Sequence, residues 1–501
     1  MLKPAPLFTD GAVLCRRKEI RVFGEADEGA AVTVTLTDRQ GTLLAETVCV
    51  CREGRFTALL RPQEAQTGCR LVFISGEETA AAENVAIGDV FLAGGQSNME
   101  LELRSADGGN ELIAVHHDPE LRFFNVPRRA YDCEEARRAM ADTRWASVSP
   151  GKGGENSAVA YFFARKLRER MPDVPVGIIG CYWGGTSVTC WMEEETLRTL
   201  AEGARYLDEY AEKAAGKDMA TYLREETTFQ DSMDQWNHAV EQYRQANPGA
   251  AWREIETACG PAPWFPPAGP GSPYRPGGLA QTMVAKVAPV TLTAILYYQG
   301  EDDAERTDCY DLLMTALIRR WRALFREAEL PFLFVQLPMW IAYDAPDNRR
   351  WAALRKAQAA VRDAVRNTGM VCLLDEGEYG NIHPTNKRPV GERLAALAGA
   401  LLYGRGEVSP RALDKYTEGD TLCVRLSAPA VIRNGGKAEL LEIAGEDDTY
   451  RPAEAEIRGT ELRLRAEGIP YPERARYAWT DWSDRVNLFG ENGLPLEPFD
   501  L

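Results

Sequence analysis

Histidine is scarce in this sequence. The 501 residues contain four, His116, His117, His238 and His383, so any chemistry that needs an imidazole base must be assigned among them. C-x-x-C spacing is missing as well: the 11 cysteines are odd in number and scattered, which argues against a disulfide framework and for reduced thiols. Cys49 and Cys51 sit two apart and share a strand face, but nothing in their spacing completes a metal site. No apolar run is long enough to cross a bilayer. Met1-Leu2-Lys3-Pro4-Ala5-Pro6 lacks the apolar stretch of a secretion signal, so a cytoplasmic location is the expectation. Basic residues are outnumbered, 58 against 75 acidic ones. The net charge of -17 argues against a nucleic-acid or anionic-membrane partner, both of which want a basic face.

What is present is a globular composition, 45% hydrophobic and 27% charged, long enough for several domains. Residues 1–85 read as a β domain. Ala31 to Thr37 alternates strictly, with Val32, Val34 and Leu36 on one face, and strands are expected again at Leu43 to Val50, Arg55 to Leu60 and Arg70 to Ser75. From residue 86 to 405 short apolar runs alternate with helical patterns. Strands are expected at Val90 to Ala93, Val176 to Gly180, Thr293 to Tyr298, Phe332 to Gln336 and Met370 to Leu374. Helices are expected at Ala158 to Arg170, Asp311 to Leu324, Trp351 to Arg366 and Arg388 to Leu402. The last carries Val390, Leu394, Leu397 and Leu401 as an apolar stripe. That alternation predicts a doubly wound α/β domain with its site at the carboxyl ends of the strands. Residues from about 192 to 275 interrupt it as a helical insertion ending in a Pro/Gly/aromatic loop. Residues 406–501 return to short strands, a second β domain.

Chemistry is expected at four turns. In Gly94-Gly95-Gln96-Ser97-Asn98-Met99-Glu100 the glycines after an apolar strand permit a sharp turn that would hold Ser97 with its backbone N–H free. Taken alone, that turn is more often an ordinary helix start with Ser97 as its cap. Trp183-Gly184-Gly185-Thr186, Tyr298-Gln299-Gly300-Glu301-Asp302 and Asn381-Ile382-His383-Pro384 follow the next strands. His116 and His117 are adjacent, point apart and read as surface loop residues, and His238 falls on a charged helix. Trp183, Trp191, Trp264 and Phe265 are candidates for an aromatic platform under a ligand ring, with core packing the competing reading for the first two.

In this order the four stretches resemble the blocks of the SGNH-type serine hydrolases, and more closely those of the sialate O-acetylesterase family of carbohydrate esterases. The resemblance runs from Leu7-Phe8-Thr9-Asp10-Gly11 through His383-Pro384-x-x-Lys387 to Gly493-Leu494-Pro495. It implies an SGNH-type hydrolase domain between β-sandwich-like ends, and a serine-dependent acetylesterase that needs no cofactor or metal. Ser97 would be the nucleophile and His383 the base. The Ser97 N–H, the Gly185 N–H and the Gln299 side chain would form the oxyanion hole. Many relatives of this type carry an aspartate three residues before the histidine, where this chain has Gly380. The acid orienting His383 is therefore expected elsewhere, at Glu301 in preference to Asp375 or Glu378. The expected substrate is O-acetylated sialic acid. The alternatives are acetylated xylan fragments or other acetyl-oligosaccharides and, from another class, a non-catalytic carbohydrate-binding protein. Oligomeric state and substrate-binding residues are not legible.

Overall fold

A computed structural model of the chain describes residues 1–264 and 266–501. Its centre is a run of parallel strands: β1 (Glu78–Gly95), β2 (Asp118–Asn125), β3 (Val176–Tyr182), β4 (Ala294–Tyr298), β5 (Phe332–Val335) and β6 (Thr368–Val371), in the spatial order β2-β3-β1-β4-β5-β6. Ile178, Ile179, Leu296, Leu333 and their neighbours are fully buried, as expected for strands covered on both faces. Six helices matter below: α1 (Ser97–Glu100), α2 (Ala158–Arg170), α3 (Met219–Ala246), α4 (Tyr310–Leu324), α5 (Arg350–Ala364) and α6 (Arg388–Tyr403). In α6, Val390, Leu394 and Leu397 pack inward as the stripe predicts. Leu401 lies over Gly369 with one face and is 50% exposed, so the stripe ends a turn early.

The boundary expected at residue 85 falls inside a single strand. The first half of β1 pairs antiparallel with Gln66–Ser75 of the N-terminal sheet, and the second half is the central strand of the parallel sheet. Burial continues without a break from Val85 to Gly95, with Asp89 paired to Arg16 inside it, so the two regions share one core instead of meeting at a linker. The C-terminal strands behave differently. They enclose a second core of their own, around Leu422, Val424, Ile443, Leu462 and Tyr477, to which the α/β region lends Met339, Cys372 and Leu374. They also cap α5: the Asp481 carboxylate accepts from the N–H groups of Trp351 and Ala352 at 2.8 and 3.1 Å. Strand β2 went unread because Asp118-Pro119-Glu120-Leu121-Arg122 has polar residues at its start, and its burial comes from tertiary packing.

Candidate active site

Turns from β3, β1, β4 and β6 converge at the carboxyl ends of the sheet, where an open α/β sheet leaves a crevice. The central turn leaves β1 through Gly95, whose φ is +132°. A Cβ there would lie 2.0 Å from the Tyr298 carbonyl oxygen, so only glycine allows this path. Ser97 thereby becomes the first residue of α1, a position with no intrahelical acceptor for its N–H, and no other described residue accepts from it.

Ser97 Oγ lies 2.8 Å from His383 Nε2. His383 arrives on the loop after β6, where Asn381 Oδ1 accepts from the His383 backbone N–H at 3.0 Å and Asn381 Nδ2 donates to Glu378 at 2.7 Å. One edge of the ring meets solvent, but the crevice walls strip water from the rest. That desolvation, with the nearby Lys387 cation adding to it, pushes His383 down to about 4. A neutral imidazole at ordinary pH is the form that can take a serine proton.

Asn98, 1% exposed, fastens the two halves together. Its Nδ2 donates to the Ile382 carbonyl at 3.0 Å and to Glu301 Oε1 at 2.5 Å, while its Oδ1 accepts from Lys387 Nζ at 2.5 Å. Lys387 is buried, with Nζ 5.7 Å from the Tyr298 ring centre, and desolvation pushes it down to about 7 against the pull of Glu301 and Glu378. Burial raises Glu301 while its bond with Asn98 opposes the rise, and Glu301 Oε2 is buried without a partner. The motif letters Asn98 and Lys387 were legible in the sequence, but their joint role was not, because 289 positions separate them.

Two expectations about the site need correction. Glu301 makes no hydrogen bond with the imidazole; its carboxylate is committed to Asn98 and faces the Lys387 charge. Asp375 is held by Arg393 at 2.7 and 2.8 Å, and Glu378 by Asn381, so no carboxylate among the described residues bonds the His383 ring. The place where a side chain at position 380 would begin is filled: a Cβ on Gly380 would lie 2.1 Å from the Tyr343 ring. Gln299 is the second correction. Its Nε2 donates to the Thr186 carbonyl at 3.1 Å and to Asp303 Oδ2 at 2.6 Å, and its Oε1 accepts from Tyr310 at 3.0 Å, so both amide hydrogens are used.

Asp303, wholly buried, is the hub that takes Gln299 away. It also accepts from Ser187 Oγ, the Val188 N–H and the Tyr206 hydroxyl at 2.7 to 2.8 Å, tying the β4 turn to the β3 turn and the helical insertion. The donors left free lie elsewhere. The Gly185 N–H has no protein acceptor among the described residues, and a Cβ on neighbouring Gly184 would come within 3.3 Å of Ser97 Cβ. Gln96, missed from sequence, accepts at Oε1 from the Gly300 and Asp302 N–H groups at 3.3 Å each and leaves its Nε2 unpaired among the described residues.

The rim is acidic. Asp302 opens to solvent, yet the thinned water around it and then the charges of Asp303 and Glu301 push it up to about 7. Glu100 accepts from the Gly184 N–H and pairs with Arg128. Of the aromatic candidates, Trp191 is core, packed against Trp321. Trp183 is half-buried beside a cavity. Trp264, 45% exposed, lies over Gly185 and edge-on to Tyr274, their ring centres 5.8 Å apart. Phe265 lies outside the described residues. His116 is not a free loop residue: it ends the helix Gly109–Val115 with Nδ1 2.5 Å from the Tyr161 hydroxyl. His117 and His238 are exposed and remote from the crevice in the contacts they make.

Residues 87–246 and 270–398 match the family described as "carbohydrate esterase, sialic acid-specific acetylesterase". Among named relatives, the sialate O-acetylesterase of Rattus norvegicus is 24% identical over 498 residues, covering 92% of this chain and 86% of that protein. The human protein of the same name is 24% identical over 410 residues, covering 76% of this chain and 67% of that one. A solved structure described as a novel carbohydrate acetylesterase from Xanthomonas citri is 27% identical and aligns over 99% of both chains with a TM-score of 0.76.

Proposed function

The chain belongs to the sialic acid-specific acetylesterase family of carbohydrate esterases, and from that premise we propose that it removes acetyl groups from sugar hydroxyls through a Ser97–His383 dyad. That it is a carbohydrate O-acetylesterase follows from the family match and the relatives. The single observation that carries the residue assignment is the 2.8 Å contact between Ser97 Oγ and His383 Nε2 at the carboxyl ends of the sheet.

In the proposed reaction His383 Nε2 takes the Ser97 proton as Oγ bonds to the acetyl carbonyl carbon, whose π electrons move onto oxygen. The oxyanion is met by the Ser97 and Gly185 N–H groups, with Gln96 Nε2 as a third donor in place of Gln299. Collapse breaks the bond to the sugar oxygen, which leaves with the proton from His383. Water then repeats the sequence on the acetyl-enzyme and releases acetate. Neutral donors suffice at each stage. With no carboxylate on the ring, the imidazolium formed in each transition state is balanced by the oxyanion itself.

Acetylated sialic acid as the sugar is supported by the family description and by the names of the mammalian relatives. The net charge of -17 favours a second reading, a neutral acetylated oligosaccharide, since a like-charged protein repels a sugar that carries a carboxylate. Purified protein assayed on O-acetylated N-acetylneuraminic acid and on acetylated xylo-oligosaccharides decides between them by kcat/KM. Failure to release acetate from either, with aryl acetates also untouched, would reject the esterase dyad.

A further inference from the structure

Beside the Trp183-Gly184 turn that lies against Ser97, on the β2 side of the sheet, residues that follow β2 and β3 line a cavity of about 360 Å³. Its floor comes from residues that follow β2 and β3, among them Arg129 and Trp183. Tyr222, Leu223 and Glu226 of α3 and Pro273 of the loop beyond the insertion close it from the other side. Its connection to the nucleophile is short. Trp183 precedes Gly184, which lies against Ser97, and Arg128 on the same wall pairs with Glu100 of α1. His383 comes from the β6 loop, beyond β4 and β5 in the sheet order, so the base and this cavity flank the serine from opposite directions. An ester whose acyl carbon sits on Ser97 must send its alcohol portion somewhere along this crest, and this cavity begins at Trp183, one residue from the Gly184 that lies against Ser97.

We propose that this cavity is the subsite for the alcohol portion of the substrate, a single pyranose ring or a disaccharide held between Trp183 and the α3 wall. The proposal rests on the carbohydrate-esterase reading above. Its chemistry fits a sugar. The half-buried indole of Trp183 offers an apolar face for ring C–H groups, while Glu226 and Arg129 offer an acceptor and a donor for hydroxyls. The Arg129 guanidinium makes no ion pair among the described residues; it donates only to the Arg128 carbonyl, at 2.9 Å. Tyr222 is fixed as a wall, its hydroxyl donating to Glu226 at 3.1 Å and its ring packed against Gly269 and Gly271. The cavity volume suits one or two rings. Helix α3 closes it on one side, so a polymer chain could not lie along the crest without displacing that helix.

Leu223→Trp fills the cavity from a partly exposed position on α3, and Arg129→Ala removes a hydroxyl donor without touching the core. Both are compared with the parent protein on methyl acetate, whose one-carbon alcohol portion does not reach the cavity, and on O-acetylated N-acetylneuraminic acid and acetylated xylobiose. The expected result is methyl acetate kcat/KM within about twofold of the parent, which also reports intact folding. On whichever sugar the parent cleaves, at least a tenfold loss is expected for Leu223→Trp and about fivefold for Arg129→Ala, carried by KM. Sugar cleavage unchanged in both variants would overturn the subsite while leaving the esterase reading standing. A parent protein that cleaves methyl acetate but neither sugar would instead reject the carbohydrate reading on which the subsite rests.

Discussion

At Ser97 the side chain supplies a hydroxyl to the crevice and little to packing. Ser97→Ala is therefore expected to keep the fold and lower kcat on an acetyl ester by about 10³-fold or more, read in a steady-state assay with a melting curve as control. A dyad also makes a statement about carboxylates. Asp375→Asn, Glu378→Gln and Glu301→Gln should each leave kcat within about tenfold of the parent, whereas loss of a triad acid costs about 10⁴-fold. A collapse confined to one of them would identify an orienting acid that the crevice recruits only with substrate bound. The depressed His383 sets the pH profile. Because the imidazole must be neutral to act, activity persists as pH falls until the folded pKa is reached, and the acid limb of kcat/KM should have its midpoint below 6. The charged group acting on His383 is Lys387, itself faced by Glu301 and Glu378. Lys387→Met removes a cation that disfavours imidazolium, so the limb should move to higher pH. A purely packing role for Lys387 would lower kcat and leave the limb where it was.

Among the elements, the β1 strand and the turn that ends it carry the strictest demands. Gly95→Ala asks a Cβ to occupy a point 2.0 Å from a carbonyl oxygen at a backbone angle that alanine avoids. A loss of about 3 kcal/mol in denaturant unfolding is expected, together with loss of activity as Ser97 shifts. The Asp481 cap on α5 is a milder case and sits away from the dyad. Asp481→Ala should lower stability by about 1 kcal/mol with kcat little changed. At this scale much was legible. Helix α2 runs over Ala158 to Arg170 as expected, and β3 to β6 start within two residues of the apolar runs that signal them. Strand β2 and the continuity of β1 were not, since Pro119 and the charges around it mask the first, and Glu83, Asn84 and Asp89 interrupt the second.

Across the whole molecule the charge of -17 and the acidic rim bear on which sugar is used. A carboxylate-bearing substrate approaching a like-charged protein is repelled over roughly 30 Å at 10 mM salt, and 150 mM salt screens that to roughly 8 Å. If acetylated sialic acid is cleaved, kcat/KM should rise between 10 mM and 150 mM salt, on the order of a few fold. An acetylated neutral oligosaccharide should show no such rise. Sequence by itself marked the residues proposed to carry the chemistry, because the Ser97 turn, the His383 loop and a run of apolar strands are local patterns, each written in a few consecutive residues. It did not determine who bonds whom. Gln299 reads as an oxyanion donor until Asp303, four residues on, is seen to be buried and in need of donors. Glu301 reads as the partner of His383 until Asn98 and Lys387 are found around it. A buried carboxylate takes whatever hydrogen-bond donors the fold brings within reach, since leaving it unpaired costs more than any single alternative pairing. That choice is made only when strands far apart in the chain are laid side by side.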